Sequence, residues 1–193
     1  INYSNSGLTG RYDSKFGNSI SMDGNYLVVG SHKTPFKHPT SDLLYTKSGS
    51  AYVFKRIKNS WNLLKELNLY DDISNDNQYG YTDQYFGSSV CIKNTYIVIG
   101  VGQHNKYGYN SGSVFIYRIL NDIITFQNVI SNEYDETEFG FSVSVDKFIS
   151  VGSKHYMDSD SSARTENLGS VTIIDAPDTQ IYGNPIFNSQ RQP

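Results

Sequence analysis

The sequence predicts an all-β protein built from three tandem copies of one four-stranded unit, and three observations carry that expectation. The 193 residues include 16 tyrosines, 10 phenylalanines and 16 glycines, with only 18% charged residues. That mixture favours aromatic and β-branched strands punctuated by turns. Alanine stands only at Ala51, Ala163 and Ala176, which disfavours a rich set of helices. Most decisively, three landmarks recur three times in the same order. Phe16-Gly17, Phe86-Gly87 and Phe139-Gly140 each open a strand. A second glycine follows 12 or 13 residues on, at Gly30, Gly100 and Gly152. A Gly-Ser pair then begins a third strand at Gly49-Ser50, Gly112-Ser113 and Gly169-Ser170.

The first strand of each copy is two-faced, because side chains alternate across a strand. One face is bulky: Phe16, Ile20 and Met22; Phe86, Val90 and Ile92; Phe139, Val143 and Val145. The other is small: Gly17, Ser19 and Ser21; Gly87, Ser89 and Cys91; Gly140, Ser142 and Ser144. A small face lets a neighbouring sheet approach closely. Cys91 stands where the other copies have serine, and its position fits a small packing residue better than a reactive thiol.

The second strands, Tyr26-Leu27-Val28-Val29, Tyr96-Ile97-Val98-Ile99 and Phe148-Ile149-Ser150-Val151, are apolar on both faces and are expected to be covered on both sides. Tight connections precede them, and Asp23-Gly24 between two alternating runs is a hairpin signal. Third strands run through Ala51–Phe54, Val114–Tyr117 and Val171–Ile174, and fourth strands from Trp61 to Leu67 and from Ile123 to Val129. In the third copy Pro177 and Pro185 restrict any fourth strand to a short or edge one.

Sheets of about four strands repeating every ~50 residues are the pattern of propeller blades. The expected organisation is a lead-in at 1–13, a first blade at 14–69, an inter-blade loop and second blade at 70–130, a loop and third blade at 131–187, and a disordered tail at 188–193.

Phe-Gly-x-Ser-Val, Val-Gly-Ser and Gly-Ser-Val-x-Ile-Tyr together resemble the FG-GAP repeat of integrin-α-like β-propellers. The second landmark reads Gly30-Ser31, Gly100-Val101 and Gly152-Ser153 where that family usually has Gly-Ala-Pro. The resemblance covers residues 14 to 175 and implies propeller blades, usually seven to a ring, in extracellular or surface proteins that bind other macromolecules. Such blades often carry an acidic calcium loop between their first two strands. Here those turns are too short and lack the carboxylates, so no calcium cofactor is carried over. Three blades cannot close a ring, so the chain is expected to be part of a larger propeller or of an assembly.

Net charge is −3 and the basic residues are scattered singly, which excludes a nucleic-acid footprint. No apolar run reaches the ~20 residues of a membrane span. The chain opens at Ile1 with no signal-peptide pattern. With one cysteine no internal disulfide forms, and neither an oxidising nor a reducing compartment is implied.

In a propeller, recognition falls on the loops at one rim. Candidate partner-binding residues are Phe36, His38 and Tyr45 in the first long loop, and His104, Tyr107 and Tyr109 in the second. Aromatic side chains give large contact area at low entropic cost. The competing reading is that they cover their own loops. His32, His38, His104 and His155 lie at or beyond the end of the second strands, three of them in equivalent loops, and surface histidines are expected there rather than an acid/base or metal cluster. In the third loop, Asp158, Asp160 and Glu166 are candidate calcium ligands, although Ala163 and Gly169 break the usual pattern. No nucleophile elbow, phosphate loop or metal-ligand pair is present. The expected function is a non-catalytic, adhesion-type module that presents rim loops to a protein or glycan. A structural component of a particle or coat, and an accessory domain of a secreted hydrolase, are the alternatives.

Overall fold

The computed structural model describes residues 13–37, 44–69, 82–155 and 169–176. Within them each copy folds as an antiparallel meander, because turn residues interrupt apolar runs at short intervals. The first sheet holds β1 (Phe16–Asp23), β2 (Tyr26–Ser31), β5 (Ser50–Ile57) and β6 (Ser60–Leu67) in that order. A small hairpin, β3 (Phe36–Lys37) and β4 (Leu44–Tyr45), interrupts the path from β2 to β5. The second sheet holds β7 (Ser89–Lys93), β8 (Tyr96–Val101), β9 (Ser113–Leu120) and β10 (Ile123–Ser131). The third holds β11 (Ser142–Val145), β12 (Phe148–Ser153) and β13 (Ser170–Asp175). Left-handed backbone at Gly24, Asn94 and the adjacent pair Asn121 and Asp122 closes the tight hairpins.

Registers place the landmarks at matching positions, with Gly30 opposite Ala51, Gly100 opposite Val114 and Gly152 opposite Val171. The sheets stack face to face in chain order. Val28, Ala51, Val53 and Leu67 on the front of the first sheet meet Val90, Ile92, Ile97, Ile99, Phe115 and Tyr117 on the back of the second. Val98, Val114 and Ile116 on the front of the second meet Phe139, Val145, Ile149 and Val151 on the back of the third. Each such side chain, fully buried, contributes about 1.5–3 kcal/mol.

The small face works as the alternation predicts. Strand β1 lies beside β7, and β7 beside β11. Ser19 Oγ donates to the Gly87 carbonyl at 3.0 Å, and Ser89 Oγ to the Gly140 carbonyl at 2.8 Å. A Cβ on Gly30 would run into that Gly87 oxygen, and one on Gly100 into that of Gly140. Cys91 is half-buried, with Ser21 Oγ 3.9 Å from its sulfur.

The ends of the stack differ from its middle, and one expectation changes there. Ile20 and Met22 occupy the positions of Val90 and Ile92, yet they are 68% and 63% exposed, although Val29, Tyr52 and Phe54 on the same face are buried in a cluster with Phe16, Leu27 and Trp61. Strand β12 is not covered on both sides, for Phe148 is exposed and no described sheet lies in front of the third. The three sheets do not close into a ring among the described residues. No helix among those residues is long and apolar enough to cross a membrane.

Substituting alanine at Gly100 is expected to cost about 3 kcal/mol, since the added carbon meets backbone of the next sheet. At Gly102 the nearest atom to such a carbon is 3.6 Å away, and Gly102→Ala is expected to stay within about 0.5 kcal/mol of wild type. Urea unfolding of the two variants measures the difference.

Candidate functional site: the loop rim

Each Phe-Gly pair is preceded by a turn in which every second residue is left-handed. Asp13, Lys15 and Gly17 have positive φ, as do Asp83, Tyr85 and Gly87, and Glu136, Glu138 and Gly140. Left-handed backbone costs a non-glycine residue roughly 1–2 kcal/mol, so six such residues need strong local support. It comes from the residue between them, Ser14, Gln84 or Thr137, which is buried in every copy. The Ser14 carbonyl accepts from Ser31 Oγ and from the Lys33 amide, both at 3.0 Å. Gln84 Oε1 accepts from the Asn105 amide at 3.1 Å. Thr137 Oγ1 donates to the Ser111 carbonyl at 2.7 Å, and its own carbonyl accepts from the His155 amide at 3.2 Å.

The long loop of each sheet is also tied to the lead turn of the next. The amides of Asp83, Tyr85 and Phe86 donate to the carbonyls of Thr46, Lys47 and Ser48. One sheet on, Glu136, Glu138 and Phe139 donate to Tyr109, Asn110 and Ser111. The long loops and the lead turns are therefore joined by backbone at one rim. Their recurring pattern, an acidic residue and a buried polar one before Lys15, Tyr85 or Glu138 and then Phe-Gly, was present in the sequence. It was missed because the polar residue differs in every copy.

The described candidates divide into two groups on this scaffold. Phe36 stacks on Tyr45 across β3 and β4, with centroids 6.3 Å apart, and Tyr45 also packs on the core between the first two sheets. In the second loop, Tyr107 and Tyr109 are 54% and 65% exposed, and Lys106 Nζ lies 5.6 Å from the Tyr107 ring centre. Asn110 donates its amide to Asn105 Oδ1 at 2.7 Å, which holds the loop closed between them. Gly108 has φ +148°, and a Cβ there would strike the Asp135 carboxylate. Tyr85, not singled out in the sequence, joins the rim: His32 stacks on it at 5.7 Å and Lys47 Nζ lies 5.9 Å from its ring centre. His38, Asp158, Asp160 and Glu166 lie outside the described residues, as do the inter-blade loop at 70–81 and the tail after 176. Among the described residues no group of three or more His, Cys, Asp and Glu side chains is placed to hold a metal ion.

His104 requires a correction, because it is not a surface histidine. Its ring is buried beneath the loop, 5.8 Å from that of Phe115, and Nδ1 lies 2.6 Å from Ser113 Oγ. Ser113 Oγ in turn lies 2.7 Å from Ser131 Oγ. The His104 backbone bridges Val101 and Gly112 as that of Thr34 bridges Ser31 and Gly49. His104 therefore packs beneath its loop against Phe115 and Ser113.

Burial pushes the His104 imidazole down from 6.5 to about 4. Between those values the unfolded chain binds a proton that the folded chain refuses. The resulting stability is fully present above pH ~6.5 and is lost as pH falls toward 4, by roughly 3 kcal/mol. His104→Thr, which installs the residue found at the matching site of the first sheet, is expected to remove that component. Denaturant unfolding of both proteins at pH 7 and pH 4.5 measures it.

Residues 10–54 and 78–117 match the family model of the FG-GAP repeat. No curated protein matches the chain.

Proposed function

Taking this as a chain that carries FG-GAP repeats, we propose that it is a non-catalytic binding module whose rim loops engage a macromolecular partner, a protein or a glycan. One observation carries the reading: Tyr107 and Tyr109 stand out from a loop whose backbone is fixed on both sides. Glu136 and Glu138 hold Tyr109 and Asn110 from the next sheet, while Asn105 holds Asn110 within the loop. Exposed aromatic rings on a fixed backbone lose little entropy when a partner covers them. Lys106 adds charge beside Tyr107, and Lys47 with Asp83 adds it beside Tyr85, which suits a polar partner more than an apolar one.

The family implies a place outside the cell or on the surface of a particle, and the rim reading agrees with it. Catalysis has no part in this proposal. His104 is buried, with its Nδ1 2.6 Å from Ser113 Oγ, and is not part of the exposed surface on which the reading rests.

Binding of the fluorescently labelled protein to immobilised extracellular-matrix proteins and to an array of glycans tests the reading. Replacing Tyr107 and Tyr109 with alanine is expected to weaken any interaction found by about tenfold or more. Replacing Lys58 and Asn59, at the hairpin tip on the opposite rim, is expected to leave it unchanged. Equal affinities for wild type and the tyrosine variant would overturn the assignment of this surface.

A further inference from the structure

The loop that carries Tyr107 and Tyr109 also holds two charged groups left without a partner by the fold. Lys106 is the first. Four lysines among the described residues lie over an aromatic ring: Lys47 on Tyr85, Lys55 on Tyr26, Lys106 on Tyr107 and Lys154 on Phe141. Three of them also meet a carboxylate, Lys47 that of Asp83 at 3.0 Å, Lys55 that of Asp122 at 2.6 Å and Lys154 that of Glu138 at 3.2 Å. Lys106 meets none among the described residues, so its ammonium keeps its donors free beside a ring that is 54% exposed.

Asp135 is the second. Gly108 separates the two tyrosines, and a Cβ there would fall on the Asp135 carboxylate, which therefore occupies the gap left by the missing side chain. Asp135 is exposed and has no hydrogen-bond or ion-pair partner among the described residues. Four residues before the Gly-Ser pair of the first copy, where the second has Gly108, stands Tyr45, whose ring packs on the core. The second loop lacks that ring and holds a carboxylate from the next lead turn instead. Backbone fixes the arrangement. The Tyr107 amide donates to Oγ of buried Ser111 at 3.4 Å, and the Ser111 amide donates to the Gly108 carbonyl at 3.3 Å. The Glu136 amide donates to the Tyr109 carbonyl at 2.7 Å, which brings the neighbouring Asp135 against the loop.

Two exposed aromatic rings, a free carboxylate between them and a free ammonium beside them match the chemistry of a sugar. The C–H face of a pyranose packs on an aromatic ring, and its hydroxyls both donate and accept. A carboxylate accepts from neighbouring hydroxyls in strong, charge-assisted hydrogen bonds, and an ammonium donates to another. The same carboxylate repels an acidic sugar, which singles out a neutral one. We propose that this loop binds a neutral hexose of a glycan partner, with Tyr107 or Tyr109 against the sugar ring, Asp135 accepting from its hydroxyls and Lys106 donating to one. The inference rests on the rim reading and narrows it, from a macromolecule to a sugar and from the rings alone to the rings with Asp135 between them.

Binding of the whole protein to carriers bearing glucose, galactose, mannose or glucuronate tests it. At least one neutral sugar is expected to bind, with glucuronate about tenfold weaker or more. Asp135→Asn keeps the shape of the side chain and removes its charge, and Lys106→Gln removes the ammonium. Circular dichroism is expected to show both variants folded, and each is expected to weaken sugar binding about tenfold. Lys58→Gln, on the opposite rim, is expected to leave it unchanged. The wild-type preference for neutral sugar over glucuronate needs no variant. Absence of binding to all three neutral sugars, glucuronate bound as tightly as they are, or full affinity in folded Asp135→Asn would each overturn the inference. A protein partner released by Tyr107→Ala with Tyr109→Ala, but not by Asp135→Asn or Lys106→Gln, would overturn it and leave the rim reading standing. A partner indifferent to all four changes would overturn both.

Discussion

Everything in this molecule depends on how closely its inner strands approach one another. A glycine carbonyl of one sheet sits where a Cβ would stand on a glycine of the sheet before it, and a serine hydroxyl closes the contact. That spacing leaves no room for a second layer of side chains near the inner strands. Bulk is therefore confined to one face of each inner strand, and the apolar volume moves outward to the second and third strands. Val28 and Val53 pack there against Ile97 and Phe115, and Val98 and Ile116 against Ile149.

The rim inherits its order from the same approach. Bringing successive sheets so near forces the chain to turn sharply just before each Phe-Gly pair, through backbone conformations that glycine tolerates and other residues resist. Buried Ser14, Gln84 and Thr137 hold those turns in place. Because the same turns accept no freedom, the loops hydrogen-bonded to them are also held. An exposed loop at Tyr107 and Tyr109 thus combines access with rigidity, two properties that oppose each other in most loops.

Much of the fold was legible in the sequence because two independent periods agreed. Alternation of large and small residues gave the strands, and the spacing of the glycines gave the copies. The fourth strands run over Ser60–Leu67 and Ile123–Ser131, close to the spans expected from the apolar pattern. What the pattern could not convey was anything set by neighbours. Ile20 and Met22 look like core residues and are exposed, since burial depends on what packs against them and not on their own strand. His104 looks like a loop histidine and is buried, because it fills the place that Thr34 fills one copy earlier, with quite different chemistry. The stacked pair of Phe36 and Tyr45 arises from a small hairpin of two-residue strands, too short to leave a periodic signal.

Stacking in chain order also gives the protein a one-dimensional character. Among the described residues the sheets pack on their neighbours in chain order, so stability is approximately a sum of terms for each unit and for each junction. The middle sheet takes part in both junctions and contributes Ile97, Ile99, Phe115 and Tyr117 to one and Val98, Val114 and Ile116 to the other. Damage to either terminal sheet uncouples one junction and leaves a smaller cooperative unit standing. Damage to the middle sheet uncouples both at once, which makes it the keystone of the array and the place where sequence change is least forgiving.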